Sequence, residues 1–296
     1  MPVVNLFDYF YHAHAHDLAG EAPPETPADY FHWRRSANAM ALIELENGVK
    51  PWTGTQWQRD LFPAEYRDDF VVCHDGVDTR RFDRHARTDR VVAGRRIPVD
   101  VRVVSFVASH LDQLRGFDRF MRFANAVMGL RNDVLCLVVG GTPVQRGLDV
   151  RFFAQDYKAH VLAEKRPHDP GRCWFLGSVP PPVVAEVLAA SDLHVYPSRP
   201  YPVGRSLLEA MASGCVVLAW DSPPVREFIT HHETGLLVPA VEPNDALWVA
   251  HAVLEDRDAY RPLGEAAAAL VRERYSQDVT LPSLAGLFDR LPQRRG

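Results

Sequence analysis

The stretch "YPVGRSLLEAMASGCVVLAW", Tyr201–Trp220, reads as a loop, a short helix, a glycine stop and a buried strand. The loop ends at Gly204, where the missing side chain lets the backbone approach a ligand closely. Glu209 follows about one turn into a helix whose neighbouring residues are small or apolar. A carboxylate there either faces solvent or lines a pocket, and the apolar flanks favour the pocket. In a pocket it could accept two hydroxyl hydrogen bonds at once, as a ribose diol offers.

Short apolar runs alternate with helical patterns on both sides of this stretch. The predicted strands from residue 101 onward are "VRVVSFVA", "DVLCLVVGG", "CWFLG", "LHVYPS", "CVVLAW" and "GLLV". Continuous apolar strands separated by helices indicate a parallel sheet that is covered on both faces. We therefore predict a complete doubly wound α/β domain over residues 97–296, closed by two or three helices after residue 244.

Residues 1–96 follow a less regular pattern. "PVVNLF" and "FVVCHD" are predicted strands, and "WRRSANAMALIELENG" and "TQWQRDLF" are predicted helices. These are too few strand–helix units for a whole domain, so we predict a reduced N-terminal α/β domain and a connector. The connector, "DTRRFDRHARTDRVVAGRRIP", is either a solvated linker or a basic wall for a phosphate-bearing substrate.

The composition of the chain excludes several classes of protein. A net charge of −5 over 296 residues argues against general nucleic-acid binding through a basic surface. No apolar run approaches the ~20 residues of a membrane span, and the N-terminus lacks the features of a secretory signal. The four scattered cysteines are predicted to be buried as small hydrophobic residues, which fits a reducing cytoplasm: Cys73, Cys136, Cys173 and Cys215.

Three histidines alternate near the N-terminus, at His12, His14 and His16. A strand would place them on one face, where three imidazoles could bind zinc. No cysteine or second ligand cluster accompanies them, so an extended polar loop is the preferred interpretation, and we predict no metal site.

The segment "GRSLLEAMASGCVVLAWDSPPVREFITHHETGLLV" resembles the donor site of the retaining family-4 glycosyltransferases, which have the two-domain GT-B fold. The resemblance extends through "FLGSVPPPVVAEVLAASDLHVYPS", "RVVSFVASHLDQLRGFDRFMR" and "VVCHDGVDTRRF", and covers roughly residues 55 to 291. It implies transfer of a sugar from a nucleotide diphosphate sugar to a hydroxyl acceptor, with retention and without a metal or cofactor.

The resemblance also assigns roles to particular residues. Glu209 is expected to bind the ribose, and the helix start at Gly204, Arg205 and Ser206 is expected to meet the diphosphate. Arg115 is expected to stabilise the leaving diphosphate, which makes it the candidate catalytic residue. Glu227 is expected either to contact a sugar or ribose hydroxyl or to cap its own helix. "DGVD" matches a turn at the domain junction.

Three features depart from the family pattern. Tyr201 stands where the family carries a carboxylate toward the donor sugar, and a phenol can only hydrogen-bond or stack. Ser109 stands at the first of two basic positions that grip the diphosphate, so Arg205 either compensates for it or faces solvent. The Gly-rich turn that opens the family's N-terminal domain has no counterpart before "MPVVNLFDYFYHAHAHD".

We therefore predict a cytoplasmic glycosyltransferase. The main alternative is a weak or inactive homologue that acts as a partner or regulatory subunit, and a weaker one is a GT-B epimerase or phosphorylase. A shortened sheet leaves a bare edge and an apolar face, which drive association. The sequence therefore also predicts a homodimer or a heteromeric partner that binds through residues 1–75.

Overall fold

The computed structural model describes residues 3–12, 32, 35–86, 89–142, 156–239 and 243–289. The strands are β1 (Val4–Leu6), β2 (Lys50–Thr53), β3 (Val71–Val72), β4 (Val91–Val92), β5 (Arg95–Arg96), β6 (Arg102–His110), β7 (Val134–Gly141), β8 (Cys173–Gly177), β9 (Leu193–Tyr196), β10 (Val216–Trp220) and β11 (Leu236–Val238). The helices are α1 (Asn38–Glu46), α2 (Gln56–Asp60), α3 (Phe117–Leu130), α4 (Tyr157–Glu164), α5 (Pro181–Ala190), α6 (Arg205–Ala212), α7 (Pro223–Arg226), α8 (Pro243–Glu255), α9 (Arg257–Arg274) and α10 (Gln277–Asp289).

The larger sheet has six parallel strands in the order β11-β10-β9-β6-β7-β8. The chain starts in the middle at β6, moves outward to β8, then returns to β9 beside β6 and moves outward again. Apolar side chains cover both faces: Phe106 and Phe120 lie on one face, and Leu207 and Val217 on the other. This is the predicted doubly wound domain, and its order reverses between β6 and β9, where a ligand crevice is expected.

The smaller sheet has three parallel strands in the order β1-β2-β3. Strand β2 was not predicted, because it is four residues long and contains Pro51. A small core of Phe7, Leu45, Phe62 and Phe70 packs beneath this sheet. The N-terminal part is therefore an α/β unit of reduced size, as the sequence predicted.

The "DGVD" turn joins the two sheets to the C-terminal helices. Val77 donates its backbone N–H to the carbonyl of Tyr275 at 2.9 Å. Gly76 has a φ of +75°, and a Cβ there would lie 2.2 Å from Oγ1 of Thr280. The turn therefore has the structural role expected of a junction, and only glycine fits at its centre.

The connector contains a short antiparallel hairpin made of β4 and β5. Arg84 donates to the carbonyl oxygens of Gly214 and Ser191 at 3.0 and 2.8 Å. Arg90 donates to the carbonyl of Val101 at 2.9 Å and pairs with Asp192 at 3.1 Å. These two half-buried arginines therefore fasten the connector to the larger domain.

The N-terminal part exposes several large apolar side chains. Two of them belong to β1 or precede it, and two lie on α1. Their side chains are 45% to 64% exposed: Val3, Leu6, Met40 and Ile43. Strand β1 pairs with β2 on one edge only within the described sheet. An open strand edge and exposed apolar groups together are features of a surface that associates.

All four cysteines are free thiols. Cys136, Cys173 and Cys215 are buried, which confirms their predicted role as small hydrophobic residues, and Cys73 is half-buried. Burial raises the pKa of the Cys215 thiol to about 11. None of the described helices is both long and apolar enough to cross a bilayer.

Candidate functional site

A cavity of about 360 Å³ opens at the carboxyl ends of the central strands. Its walls come from the end of β6, the loop after it, the loop that leads from β9 to α6, and the first turns of α6. Six of the residues predicted for the site lie on these walls: Ser109, Arg115, Gly204, Arg205, Ser206 and Glu209. The structure therefore assembles them although they come from two segments almost a hundred residues apart.

The loop after β6 holds Arg115 in place. Asp112 accepts the backbone N–H of Arg115 at 2.8 Å, and the guanidinium donates to the carbonyl of Pro202 at 3.0 Å. Gly116 has a φ of +74°, and a Cβ there would lie 2.1 Å from the carbonyl oxygen of Pro197. The two loops press so closely together that only glycine fits between them.

A buried ion pair joins the first turn of α3 to the loop between β9 and α6. Arg199, which is 3% exposed, donates to both carboxylate oxygens of Asp118 at 3.1 and 3.3 Å. Burial alone would raise the pKa of Asp118, but attraction and hydrogen bonding to Arg199 outweigh it and hold that pKa below its ordinary value. No local pattern in the sequence marks this pair, since its members are 81 positions apart.

The start of α6 is fixed by two polar contacts. The N–H of Gly204 donates to the phenol oxygen of Tyr196 at 3.0 Å. Arg205 pairs with Asp75, with its Nε 2.8 Å from a carboxylate oxygen, although 69% of the side chain remains exposed. Arg205 thus stands at the cavity rim, tied to the domain junction, and the sequence did not indicate its partner.

Glu209 is half-buried on α6 and lines the cavity. Burial raises the pKa of Glu209 to about 7, with Arg205 and Arg81 working in the opposite direction and Asp75 adding to the rise. The group therefore exchanges its proton near neutral pH. A carboxylate kept in such a place at a cost in stability is typical of a binding or catalytic site.

Glu209→Gln is expected to stabilise the protein at pH 8 but not at pH 4. The folded state holds the Glu209 proton more tightly than the unfolded state, so wild-type stability falls as pH rises from about 4.5 to about 7. Glutamine does not titrate, so the variant should exceed the wild type by roughly 1–3 kcal/mol at pH 8. Denaturant unfolding at both pH values measures this, with exposed Glu273→Gln as the control. An equal difference at the two pH values would contradict the assignment.

Tyr201 and Glu227 lie outside the cavity walls. Tyr201 is 4% exposed and packs between the ring of Tyr9, with centroids 4.9 Å apart, and the guanidinium of Arg115, 5.7 Å from its ring. Glu227 accepts the backbone N–H groups of Gln56 and Trp57 at 2.9 and 2.6 Å. Its side chain therefore caps α2 of the N-terminal part, while its backbone occupies the C-cap position of its own helix, α7. Contacts of either residue with a sugar remain predictions.

The histidine pattern does not form a site within the described residues. Nε2 of His12 lies 2.6 Å from the carbonyl oxygen of Leu61. His14 and His16 fall outside the described ranges. In the part of the chain that the structure describes, no three side chains of the metal-binding types come together.

Two family profiles match the chain. The profile described as "Glycosyl transferases group 1" covers residues 94–270, more than half of the sequence and all of the cavity-lining residues named above. The chain belongs to this family. A second profile, "Glycosyl transferase family 4 group", covers residues 1–82 of the chain. The resemblance noted in the sequence is confirmed.

The chain is also similar to individual proteins with known names or solved structures. A D-inositol 3-phosphate glycosyltransferase of Nocardia farcinica is 32% identical over 217 residues, which cover 71% of this chain and 45% of the relative. The chain thus spans about half the length of the curated relatives it matches. Among solved structures, sucrose-phosphate synthase from Thermosynechococcus elongatus has a TM-score of 0.72 at 19% identity, covering 97% of this chain and 67% of its own.

A further structure, HepE of Anabaena in complex with UDP and glucose, also has a TM-score of 0.72 at 19% identity. It covers 98% of this chain, and this chain covers 72% of it. These likenesses confirm the GT-B-like fold with a short N-terminal part.

Proposed function

We propose that the protein transfers a sugar from a nucleoside diphosphate sugar to a hydroxyl group, with retention at the anomeric carbon and without a metal ion. The observation that carries this proposal is the single cavity that joins Arg115, the start of α6 and Glu209. Membership of the glycosyl transferases group 1 family and the UDP in the HepE structure support it.

Each end of the cavity suits one part of the donor. Arg115 uses one N–H on Pro202, and its fork carries further donors for phosphate oxygens. The first turn of α6 adds backbone N–H groups and the positive end of a helix dipole, which stabilise a leaving diphosphate. Glu209 accepts the ribose hydroxyls. No side chain is assigned as a nucleophile, and the resemblance to the family requires none.

Incubation with a panel of nucleotide sugars tests this function. Release of a nucleoside diphosphate, with or without added sugar acceptors, is the expected result, and NMR of the product shows its anomeric configuration. Turnover that inverts the configuration would contradict retention, and the absence of both turnover and nucleotide binding would refute the function.

A non-catalytic partner or regulatory subunit is the second candidate. Tyr201 supplies no charge and is buried behind Arg115, and Ser109 replaces a basic residue at the cavity. These two departures favour nucleotide binding without chemistry. Tight binding of a nucleoside diphosphate combined with no release from any nucleotide sugar would establish this second function.

We also propose that the chain divides into domains at residues 96 and 97, and that residues 1–75 contact a second chain. The six-stranded sheet begins at Arg102, after the hairpin of the connector, which supports the boundary. The open edge of β1 and the four exposed apolar side chains around it support the contact.

Sedimentation at micromolar concentration is expected to show a species larger than a monomer. The physical reason is the apolar surface around β1 and α1, which water covers at a free-energy cost. Met40→Glu with Ile43→Glu should shift the distribution to monomer without unfolding, because both side chains are exposed. The matched control is Val99→Glu, an exposed apolar residue outside this surface. A monomer in the wild type would refute the association.

A further inference from the structure

A second cavity, of about 170 Å³, lies between the two sheets. The carboxyl ends of β1, β2 and β3 contribute Asp8, Trp52, His74 and Asp75 to it, and the loop before α6 faces them. Arg205 lines both this cavity and the one that contains Glu209. The two cavities are therefore neighbours at the start of α6, and we call the second one the junction pocket.

The charges of the two cavities differ. The described lining of the larger cavity carries two guanidinium groups, Arg115 and Arg205, and the single carboxyl group of Glu209. The described lining of the junction pocket has two carboxylates, Asp8 and Asp75, against the one guanidinium of Arg205, which already pairs with Asp75. Burial lowers the pKa of His74, although Asp75 works against it, so the imidazole adds no fixed positive charge.

The polar groups of the junction pocket are held in position. Gln58 donates to the backbone carbonyl of Asp8 at 2.7 Å and to its carboxylate at 3.3 Å, and Thr55 donates to Gln58 at 3.0 Å. The indole N–H of Trp52 donates to the carbonyl of Cys73 at 2.6 Å, which fixes the ring. A fixed aromatic ring beside carboxylates offers an apolar surface and strong hydroxyl acceptors together.

We propose that the junction pocket binds a neutral, hydroxyl-rich sugar ring and that Asp8 and Asp75 exclude a phosphorylated one. Carboxylates accept hydroxyl donors, whereas a phosphate brought beside them meets like charge in a partly dry site. The inference rests on the proposed function, because it deepens the sugar-binding part of that site. It predicts that the pocket prefers a sugar ring without a phosphate, whereas the name of the Nocardia relative contains a phosphorylated compound, D-inositol 3-phosphate.

The sugar ring has two sources, the transferred sugar of the donor and the acceptor. Competition distinguishes them. A neutral monosaccharide that binds beside UDP but is displaced by a UDP-sugar occupies the place of the transferred sugar. One that still binds in the presence of the UDP-sugar occupies the acceptor place.

The test measures binding to the full chain by saturation-transfer NMR and calorimetry. The probes are matched pairs, glucose with glucose 6-phosphate and myo-inositol with inositol 3-phosphate, each with and without UDP. We expect the neutral member of at least one pair to bind ten times more tightly than its ester. Equal or tighter binding of the esters, or no binding of any neutral sugar, would overturn the inference.

Asp8→Asn keeps the shape of the side chain and removes its charge. It should reduce the preference for the neutral sugar at least threefold, whereas Asp69→Asn, an exposed carboxylate outside the pocket, should leave it unchanged. Unchanged discrimination in Asp8→Asn would refute the role of that charge. Affinity for a panel of nucleoside diphosphates, UDP included, is measured in parallel and reports separately on the proposed function. If the wild type binds none of them, that function is refuted, while the sugar preference is read independently.

Discussion

Arg115→Ala is expected to weaken the binding of a nucleoside diphosphate about 100-fold and that of the matching nucleoside less than threefold. A charge-assisted hydrogen bond to a phosphate oxygen is worth roughly 1.5–3 kcal/mol, and a loss of about 2.7 kcal/mol, which one such bond can supply, corresponds to a factor of about 100. The nucleoside has no group for the guanidinium to bind. Calorimetry with the diphosphate and nucleoside of the base that binds best measures both losses.

Two further variants separate a direct contact of Arg115 from a structural role. Arg115 also donates to Pro202 and lies over Tyr201, so its loss could loosen the loop. A loosened loop would weaken the nucleoside and the diphosphate equally, and that outcome would contradict the assignment. Arg115→Lys keeps the charge without the fork and should fall between the alanine variant and the wild type. Arg96→Ala, on the exposed hairpin, should change neither affinity.

Ser109→Arg is the reciprocal change at the same cavity. Ser109 is exposed on the cavity wall, so a longer side chain has room there. A second guanidinium near the diphosphate should strengthen its binding about tenfold. No gain would indicate that Ser109 does not face the phosphates.

The larger domain follows from local sequence patterns because each strand and helix is apolar enough to be recognised alone. Six apolar strands with helices between them leave few arrangements other than a doubly wound sheet. The first and last residues of individual helices were less predictable. The segment "SPPVREFI", residues 222–229, has a helical pattern, but helix α7 is only Pro223–Arg226, and Ser222 occupies its N-cap position without a side-chain bond to the helix.

The contacts between the two sheets were beyond a local pattern. Arg205 meets Asp75 across 130 positions, and Glu227 meets Trp57 across 170. A family resemblance indicates which segment carries a site but not which distant side chain occupies a position beside it. This is why the contact between the Glu227 side chain and the backbone of α2 was not predicted.

The smaller sheet shows the same limit. Its middle strand, β2, is short, contains a proline and lies between two glycines, so no periodicity marks it. Trp52 on that strand therefore had no predicted place. The junction pocket could not be predicted from a local pattern, because its walls come from four separate segments that meet only when β2 pairs with β1 and β3.

Glu209→Ala is expected to weaken nucleoside binding by about 2–4 kcal/mol at pH 8, or roughly 30- to 1000-fold. The half-buried carboxylate is expected to accept two ribose hydroxyls, and both bonds are lost together. Its raised pKa of about 7 adds a pH signature, since protonation removes the strong acceptor. Wild-type affinity for the nucleoside should fall up to about tenfold between pH 8 and pH 6, whereas the variant should show no such slope. The nucleoside is the right probe because it carries no phosphate that titrates in this range.

A loss of nucleoside affinity in Glu209→Ala can be distinguished from a loss of folding stability. The variant removes a carboxylate whose burial destabilises the fold at pH 8. Its free energy of unfolding at that pH should therefore fall by less than its free energy of nucleoside binding does. Glu273→Ala removes an exposed carboxylate elsewhere and should alter neither quantity. A 2′-deoxynucleoside should bind the wild type more weakly than the ribonucleoside and should lose less on the substitution, because one of its two hydroxyls is absent. Equal losses for the two nucleosides, or an unchanged pH profile, would show that Glu209 does not hold the ribose.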